Sequence, residues 1–304
     1  MRDFLGSNAK LIVVLATACS GMSAILTRLA GDISPVALAY YRLLFSLPVF
    51  FAAVLMRKEH VAELKHLSRQ YICLSFGAGV FLALHFVCWF SAVNLTSVVS
   101  ATVLCGMHPF VMVLICAFIL RERVNAGMII SVVGAIIGAV ILAGNDYSSG
   151  FLGYTNFKGD ILALCAALFL ALYWAIGRKA RLEVSSSVYV LLVFSACWVC
   201  LLIAMLVSSV PFTGYSPQTM LYIFLMSLCC QIFAHMAYNW ALGFVSPLFM
   251  SISDNTSAVF AALLGAVLFR EFPTGWQILG SLVVIFSLVC YCISEQKGKL
   301  PDKL

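Results

Sequence analysis

The sequence has 304 residues, of which 63% are apolar and only 10% are charged, and its formal net charge is +6. Soluble domains carry about 25% charged residues, so this chain has too little polar surface to fold as a soluble globule. The composition instead predicts apolar helices of about 20 residues, the length that crosses the hydrocarbon core of a bilayer.

Charged, Gly/Pro and Asn/Ser breaks divide the chain into ten candidate transmembrane helices. The first half holds candidate spans at about 9–29, 35–56, 71–93, 97–120 and 126–144. The second half holds candidate spans at about 160–177, 187–208, 218–242, 247–269 and 275–293. Several connections are only a few residues long, so neighbouring helices must form antiparallel hairpins. The predicted fold class is an all-α membrane protein.

The basic residues are distributed unevenly between the predicted loops. If the N-terminus is inside, most of the 18 Lys and Arg residues fall on the cytoplasmic side. Because positively charged loops are retained in the cytoplasm, both termini are predicted to be cytoplasmic. The net charge is then explained by topology and by attraction to the lipid bilayer, and a nucleic-acid partner is not required.

The two halves of the sequence resemble each other at one fixed offset. The segment 89–93 (WFSAV) aligns with 238–242 (YNWAL), and the helix end 118–122 (FILRE) aligns with 267–271 (VLFRE). Five spans per half is an odd number, so the second half must enter the membrane upside down, as in many secondary transporters. The predicted division is a first five-helix repeat at 1–145, a linker at 146–158, a second repeat at 159–294 and a cytoplasmic tail at 295–304.

The aligned helix ends and a set of Gly and Pro positions resemble the drug/metabolite transporter superfamily, EamA type. The first-repeat motifs are Pro109, Leu120-Arg121-Glu122-Arg123, Gly127, Gly134 and Gly138. The second-repeat motifs are Leu263-Leu264-Gly265, Phe269-Arg270-Glu271, Trp276-Gln277 and Gly280. The resemblance covers nearly the whole chain. It implies ten helices, a multi-pass location in the inner membrane of a bacterium and the carriage of small metabolites.

Two positions depart from the family pattern. Ala258 stands where the first repeat has Pro109, and Asp254-Asn255 stands where an apolar pair is usual. Ionisable groups at membrane depth are expensive, so Asp254 is the leading candidate for binding a cationic substrate group or carrying a proton. Its alternative role is that of a structural partner for a polar side chain across the bundle.

The eighth span carries a polar stripe whose members lie on one helical face, namely Gln231, His235, Tyr238 and Asn239. On the third span His85 and Trp89 are spaced i and i+4, and the repeat offset places Trp89 on Tyr238. Two aromatic faces are therefore expected to meet near the centre and to stack a planar or cationic group. The competing interpretation is hydrogen bonding between helices.

His108 precedes Pro109 in the fourth span, where the proline must free a backbone carbonyl near Leu104 and Cys105. A broken helix at this point would line a cavity. His108 titrates near neutral pH in water and is therefore a candidate for proton coupling, with a satisfied interhelical hydrogen bond as the alternative.

Arg42 lies within the second span, and three roles are open for it: binding a substrate carboxylate, pairing with Asp254, or snorkelling to the interface. The resemblance favours a cavity position. On the sixth span Tyr173 and Trp174 could supply an aromatic wall of the binding site, and a membrane-interface aromatic belt is the competing account.

Glu122 and Glu271 recur at equivalent helix ends beside Arg121, Arg123 and Arg270. They are expected to stabilise the hairpin turns structurally, with a gating role as the alternative. The ladder of Gly127, Gly134 and Gly138 indicates close helix packing, and a homodimer surface is a second interpretation.

The predicted function is a secondary active transporter that alternates access around a central cavity, coupled to protons or to exchange. The expected small-molecule substrate is an amino acid or another amphoteric or amine metabolite. No cofactor is expected, and no metal, because the twelve cysteines lie almost entirely within apolar runs. The alternatives are an intramembrane enzyme or a membrane sensor or scaffold; no HExxH, GxSxG or P-loop motif is present.

Overall fold

The structure is a computed structural model that describes residues 8–95, 101, 104–122, 124–143, 157–260, 263 and 275–297. Regular structure in these residues is helical throughout. The helices are, in chain order, α1 (Ala9–Ala30), α2 (Pro35–Leu55), α3 (Lys58–His66), α4 (Arg69–Leu95), α5 (His108–Leu114), α6 (Ala126–Ala143), α7 (Phe157–Arg181), α8 (Ser186–Val207), α9 (Pro217–Met226), α10 (Met236–Ala241), α11 (Pro247–Asp254) and α12 (Gly275–Lys297). Two π-helical segments, Ile115–Leu120 and Ser227–His235, continue α5 and α9.

Within the described residues, seven helices are long and apolar enough to cross a membrane. Two shorter apolar helices, His108–Leu120 and Ala126–Ile141, occupy the predicted fourth and fifth spans. The predicted ninth span begins with α11, and part of it lies outside the described residues. The prediction of an all-α membrane protein is confirmed.

Several helices begin at a serine followed directly or closely by proline. Ser216 and Ser246 each accept a hydrogen bond from the backbone N–H three residues later, at 3.0 and 3.1 Å, and Pro217 or Pro247 occupies the first helical position. A serine side chain satisfies a backbone donor that the helix cannot, and proline has no donor to satisfy. The sequence thus sets these helix starts locally.

The packing of the helices is related between the two halves. The third span, α4, packs along the sixth, α7, while the eighth span packs along the first, α1. The second span packs on the seventh and the fifth on the tenth. Interchanging the two halves turns the contact of the third span with the sixth into that of the eighth span with the first. It leaves the other two contacts unchanged, as expected for two related repeats.

The start of α1 lies beside the end of α12, since Lys10 forms an ion pair with Glu295. The end of the bundle that holds this pair is called the basic face below. The short helix α3 also lies at this face, in a segment for which the sequence predicted no helix. α3 has no buried residue, and Glu63 fastens it to the bundle by accepting a hydrogen bond from the backbone N–H of Ser185 at 2.6 Å.

The predicted glycine ladder packs inside the chain. A Cβ atom added at Gly138 would lie 2.8 Å from the backbone nitrogen of Val284, and one added at Gly134 would lie 2.6 Å from Oγ of Ser287. Both neighbours belong to α12. The ladder is therefore covered by the last helix and is not a free surface for a second copy of the chain.

Replacing Gly138 by alanine is expected to destabilise the α6–α12 contact, because backbone atoms of α12 cannot move aside for the new methyl group. We expect a loss of about 1–3 kcal/mol in the free energy of unfolding, measured by denaturant titration in mixed micelles. Gly77→Ala is the matched control, since nothing lies within 4 Å of its added Cβ. Equal stabilities of the two variants would contradict the packing argument.

Candidate functional site

The fourth and ninth spans are both broken, and at positions that are equivalent under the repeat. Residues 106–107 form a turn before α5, and residues 255–256 form a turn after α11. The two breaks are tied together because Nδ2 of Asn255 donates to the carbonyl of Gly106 at 3.2 Å. The break before Pro109 was predicted from the sequence, whereas the break at 255–256 was missed because no proline marks it.

His108 occupies the first of these breaks and contacts two backbone carbonyls. Pro109 has no N–H to donate to the carbonyl of Cys105. Nδ1 of His108 lies 3.0 Å from that oxygen, and its Nε2 lies 3.1 Å from the oxygen of Ser251. A carbonyl only accepts, so a neutral ring satisfies one of the two contacts and a doubly protonated ring satisfies both.

Asp254 is the ionisable group that lies beside His108. Its Oδ2 lies 3.8 Å from Nε2 of His108, and its Oδ1 accepts a hydrogen bond from the hydroxyl of Tyr238 at 3.2 Å. The Asp254 side chain is 19% exposed, while that of His108 is 3% exposed. The carboxylate can therefore be approached from a side that the histidine does not occupy.

A line of aromatic rings extends from this ion pair across the bundle. His108 contacts Trp174 edge to face at 5.5 Å, and Trp174 contacts Tyr238 at 6.0 Å. The line continues from Tyr238 to His235 at 5.9 Å and from His235 to Phe86 at 5.7 Å. Trp174 is fully buried, so it lies in the interior wall and not in a membrane-interface belt.

Arg42 lies at the far end of this line and is 3% exposed. Its Nε donates to Oε1 of Gln231 at 3.0 Å, and its guanidinium stands 4.8 Å from the centroid of the Phe86 ring. The side chain does not snorkel, because it is buried. Among the described residues Asp254 pairs with His108 and forms no pair with Arg42. Snorkelling and pairing with Asp254 therefore do not fit the structure, and binding of a substrate carboxylate is the role that stays open.

Tyr173 and Asn239 form a second layer behind the aromatic line. The Tyr173 hydroxyl donates to Oδ1 of Asn239 at 2.7 Å, and Nδ2 of Asn239 donates to the carbonyl of His235 at 2.7 Å. Through these two hydrogen bonds Tyr173 and Asn239 hold the end of the π-helical segment in place. Both residues therefore support the aromatic line from behind.

The sequence predicted His85 beside His235 and Trp89 in one site with Tyr238. His85 and His235 both contact the Phe86 ring, at centroid distances of 5.5 and 5.7 Å. Nδ1 of His85 is 2.9 Å from the carbonyl of Ala166 on α7. Among the described residues, the Tyr238 ring contacts Trp174 and His235 and not Trp89. Trp89 instead lines a cavity of about 280 Å³ at the face opposite the basic face, together with Thr27, Gly31, Asp32, Ile33, Pro35, Leu38, Phe90, Val93 and Asn94.

Ion pairs join helix ends at the basic face. Lys10 pairs with Glu295, and Glu295 also accepts from Ser246 at 3.4 Å. Glu122 pairs with Arg178 of α7 at 3.4 Å, not with the adjacent Arg121. Glu271, its predicted counterpart, lies outside the described residues.

Several buried polar atoms around the aromatic line have no hydrogen-bond partner among the described residues. They are Trp174 Nε1, Gln231 Nε2, His235 Nδ1, Ser251 Oγ and Ser253 Oγ. Buried polar groups are normally satisfied, so these atoms can bind an ordered water or a polar ligand group. The two serines were not singled out from the sequence, although their position next to Asp254 was a usable signal.

The twelve cysteines are free thiols. No group of three or more His, Cys, Asp or Glu side chains in the described part of the chain could hold a metal ion. The site combines the pair of His108 and Asp254, the guanidinium of Arg42 and a line of aromatic rings.

Comparisons with known proteins agree with this architecture. The EamA-like transporter family matches residues 8–144 and 157–292. The chain is 24% identical over 298 residues to the pseudopaline exporter CntI of Pseudomonas aeruginosa in two strains, over 97% of this chain and 98% of the exporter. It is 23% identical over 260 residues to an uncharacterized transporter of Archaeoglobus fulgidus, over 84% of this chain and 86% of that protein.

A solved crystal structure has the same fold, with a TM-score of 0.79 at 20% identity, over 97% of this chain and 99% of that chain. The family match and the names of the relatives point to a transporter and not to an enzyme. With both halves of the sequence matched, the chain belongs to the EamA-like transporter family.

Proposed function

We propose that this protein is a secondary active transporter that moves a small amine or amphoteric metabolite across the inner membrane of a bacterium in exchange for protons. The observation that carries the proposal is the pair of His108 and Asp254, held between two broken helices. Broken helices that present backbone and charged groups at membrane depth are typical of transporter binding sites.

The pair of His108 and Asp254 supports coupling of substrate to protons, because one carboxylate cannot neutralise two cations at once. In this proposal His108 is protonated when its Nε2 faces Asp254. A substrate ammonium that approached Asp254 would be repelled by the imidazolium, so its binding favours release of that proton. The proton and the cationic substrate group therefore compete, and competition at one site drives movement in opposite directions.

The two ends of the bundle support alternating access. The cavity that Trp89 lines opens at one face, while Lys10–Glu295 and Glu122–Arg178 hold helix ends together at the other. We assign the basic face to the cytoplasm, because positive residues are retained there. Both termini are then cytoplasmic, and the described state is closed toward the cytoplasm.

The proposed unit is the two repeats at 1–145 and 159–294 acting around the central site. The relatives named as exporters support outward movement of the substrate. The residues proposed to contact substrate or proton are Asp254, His108, Tyr238, Trp174 and His235, with Arg42 considered below.

Transport by purified protein in proteoliposomes tests the proposal. Vesicles loaded with a panel of radiolabelled amino acids and polyamines are given an inward or outward proton gradient, and efflux is followed. We expect at least one amine-bearing solute to move faster when protons enter, and its unlabelled form to stimulate exchange. Failure of every solute, under either gradient or exchange, would contradict the proposal.

The cytoplasmic closure gives a separate prediction. Glu295→Gln removes one charge of the pair with Lys10. A charge-assisted hydrogen bond contributes about 1.5–3 kcal/mol, so opening at this end should become at least about tenfold more frequent. Amide hydrogen exchange at the start of α1 and of α11 measures the opening. Glu59→Gln, on exposed α3, is the control, and exchange equal to that of the control would contradict a closing role for Glu295.

A further inference from the structure

Arg42 is a buried cation that the chain leaves without an anion. It is 3% exposed, and no carboxylate within the described residues lies within ion-pair distance of it. The ionisable side chains that face it are Cys197, Cys230 and Tyr173, together with the imidazoles of His85 and His235. A guanidinium remains charged even when buried, so its positive charge is uncompensated here.

The hydrogen-bonding capacity of the guanidinium is also incompletely used. Nε donates to Gln231, whereas the two terminal nitrogens make no hydrogen bond to the described residues. The Phe86 ring covers one face of the group at 4.8 Å. A partner for the terminal nitrogens must therefore approach edge-on, in the plane where a guanidinium presents its paired N–H donors.

Two further unsatisfied atoms belong to residues beside Arg42. Gln231 is fully buried and uses its Oε1 for Arg42, which leaves its Nε2 donor without a partner among the described residues. His235 is 7% exposed, and its Nδ1 is likewise without a partner there. Both residues lie on the π-helical segment Ser227–His235, and π-helical turns occur frequently at functional sites.

From these contacts we propose that Arg42, Gln231 and His235 form a carboxylate-binding subsite for the transported solute. A carboxylate accepts two parallel hydrogen bonds from a guanidinium fork and has lone pairs left for an amide and an imidazole donor. It would also supply the missing negative charge.

This inference rests on the proposed function, since it names the second end of the same substrate. The subsite is joined to Asp254 through the ring contact of His235 with Tyr238 and the hydrogen bond of Tyr238 with Asp254. The solute class is then amphoteric, with its ammonium at Asp254 and its carboxylate at Arg42, and its apolar part lies against the aromatic line.

Sodium benzoate is a suitable probe because it joins a carboxylate to an aromatic ring and does not require the substrate to be known. Benzamide is its neutral counterpart, and sodium chloride is the inorganic anion control. Thermal unfolding of the purified full-length protein is measured with each. We expect benzoate to raise the unfolding temperature in a saturable way, while benzamide and matched chloride leave it unchanged.

Three variants test the assignment. We expect Arg42→Gln, which keeps a donor for Gln231, to weaken benzoate binding at least about tenfold. Arg42→Lys should retain part of the binding, because it has the charge without the fork. Arg57→Gln, at the exposed start of α3, should bind benzoate as the wild type does.

Arg42→Gln should also fold with at least the stability of the wild type, since it removes an uncompensated buried charge. A large loss of stability in that variant would overturn the inference by showing that the charge is satisfied within the fold. Equal effects of benzoate and benzamide, equal effects of benzoate and chloride, or benzoate binding that survives Arg42→Gln would each overturn it too.

Failure of the inference can be told apart from failure of the proposed function. If the wild type transports a carboxylate-bearing solute and Arg42→Gln transports it with unchanged apparent affinity, the subsite is wrong and the transporter proposal stands. If benzoate binding depends on Arg42 but no solute of the panel is transported, the subsite stands and the proposed function is wrong.

Discussion

Asp254→Asn is expected to lower proton-driven transport at least about 30-fold, because losing one partner of a buried charge pair costs roughly 2–5 kcal/mol and each 1.4 kcal/mol is tenfold. Asparagine can still accept from Tyr238, so the local structure should persist. It cannot be ionised, however, and it therefore attracts neither His108 nor a substrate ammonium by charge. The residual rate should no longer depend on the proton gradient.

The measurement is efflux from proteoliposomes at several pH values. The titratable side chains that face Asp254 are His108, Tyr238 and Cys105, so removing the carboxylate changes the behaviour of the whole group. Asp254→Glu should keep part of the activity and its gradient dependence, since the charge remains. A wild-type rate and pH profile for Asp254→Asn would show that the carboxylate is a structural partner only.

His108→Ala is expected to lower the free energy of unfolding by about 3–5 kcal/mol, which is the usual effect of breaking a buried ion pair. The variant leaves two backbone carbonyls, those of Cys105 and Ser251, without their donors and leaves Asp254 without its counterion. Because these groups join the two broken helices, their loss should loosen the contact between the repeats.

Denaturant titration in mixed micelles measures this effect. His60→Ala is the matched control, because His60 contacts one carbonyl, that of Ala53 at 3.2 Å, outside the transmembrane core, and its loss should cost about 0.5–1.5 kcal/mol. The double variant His108→Ala with Asp254→Asn should lose less stability than the two single effects added together, since no orphan charge remains. Additive effects, or a His108→Ala effect no larger than the control, would contradict the ion-pair geometry.

The helices of this protein follow from local sequence. Apolar runs of sufficient length must become helices in a bilayer, because unpaired backbone groups are too costly there. Serine and proline at positions such as Ser216-Pro217 and Ser246-Pro247 set the helix starts through a single side-chain contact. The repeat was also visible from sequence, since two helix ends carry the same residue pattern at one offset.

The candidate site could be predicted only in part. Asp254 and His108 stood out because burying an ionisable group at membrane depth costs free energy whatever the direction of its side chain. Trp89 was expected beside Tyr238 by symmetry, but its side chain lines the cavity near Asp32, since repeat symmetry in sequence does not fix which neighbour a ring contacts.

The sequence by itself determined the all-α membrane fold, the two related halves and the small set of polar residues that the bilayer makes costly. Only the tertiary structure decided their partners: His108 with Asp254, Glu122 with Arg178, and Arg42 with Gln231. Partner choice depends on distances of a few ångströms between helices that are far apart in the chain. Local composition and spacing carry no information about those distances, whereas the packing of helix against helix sets them directly.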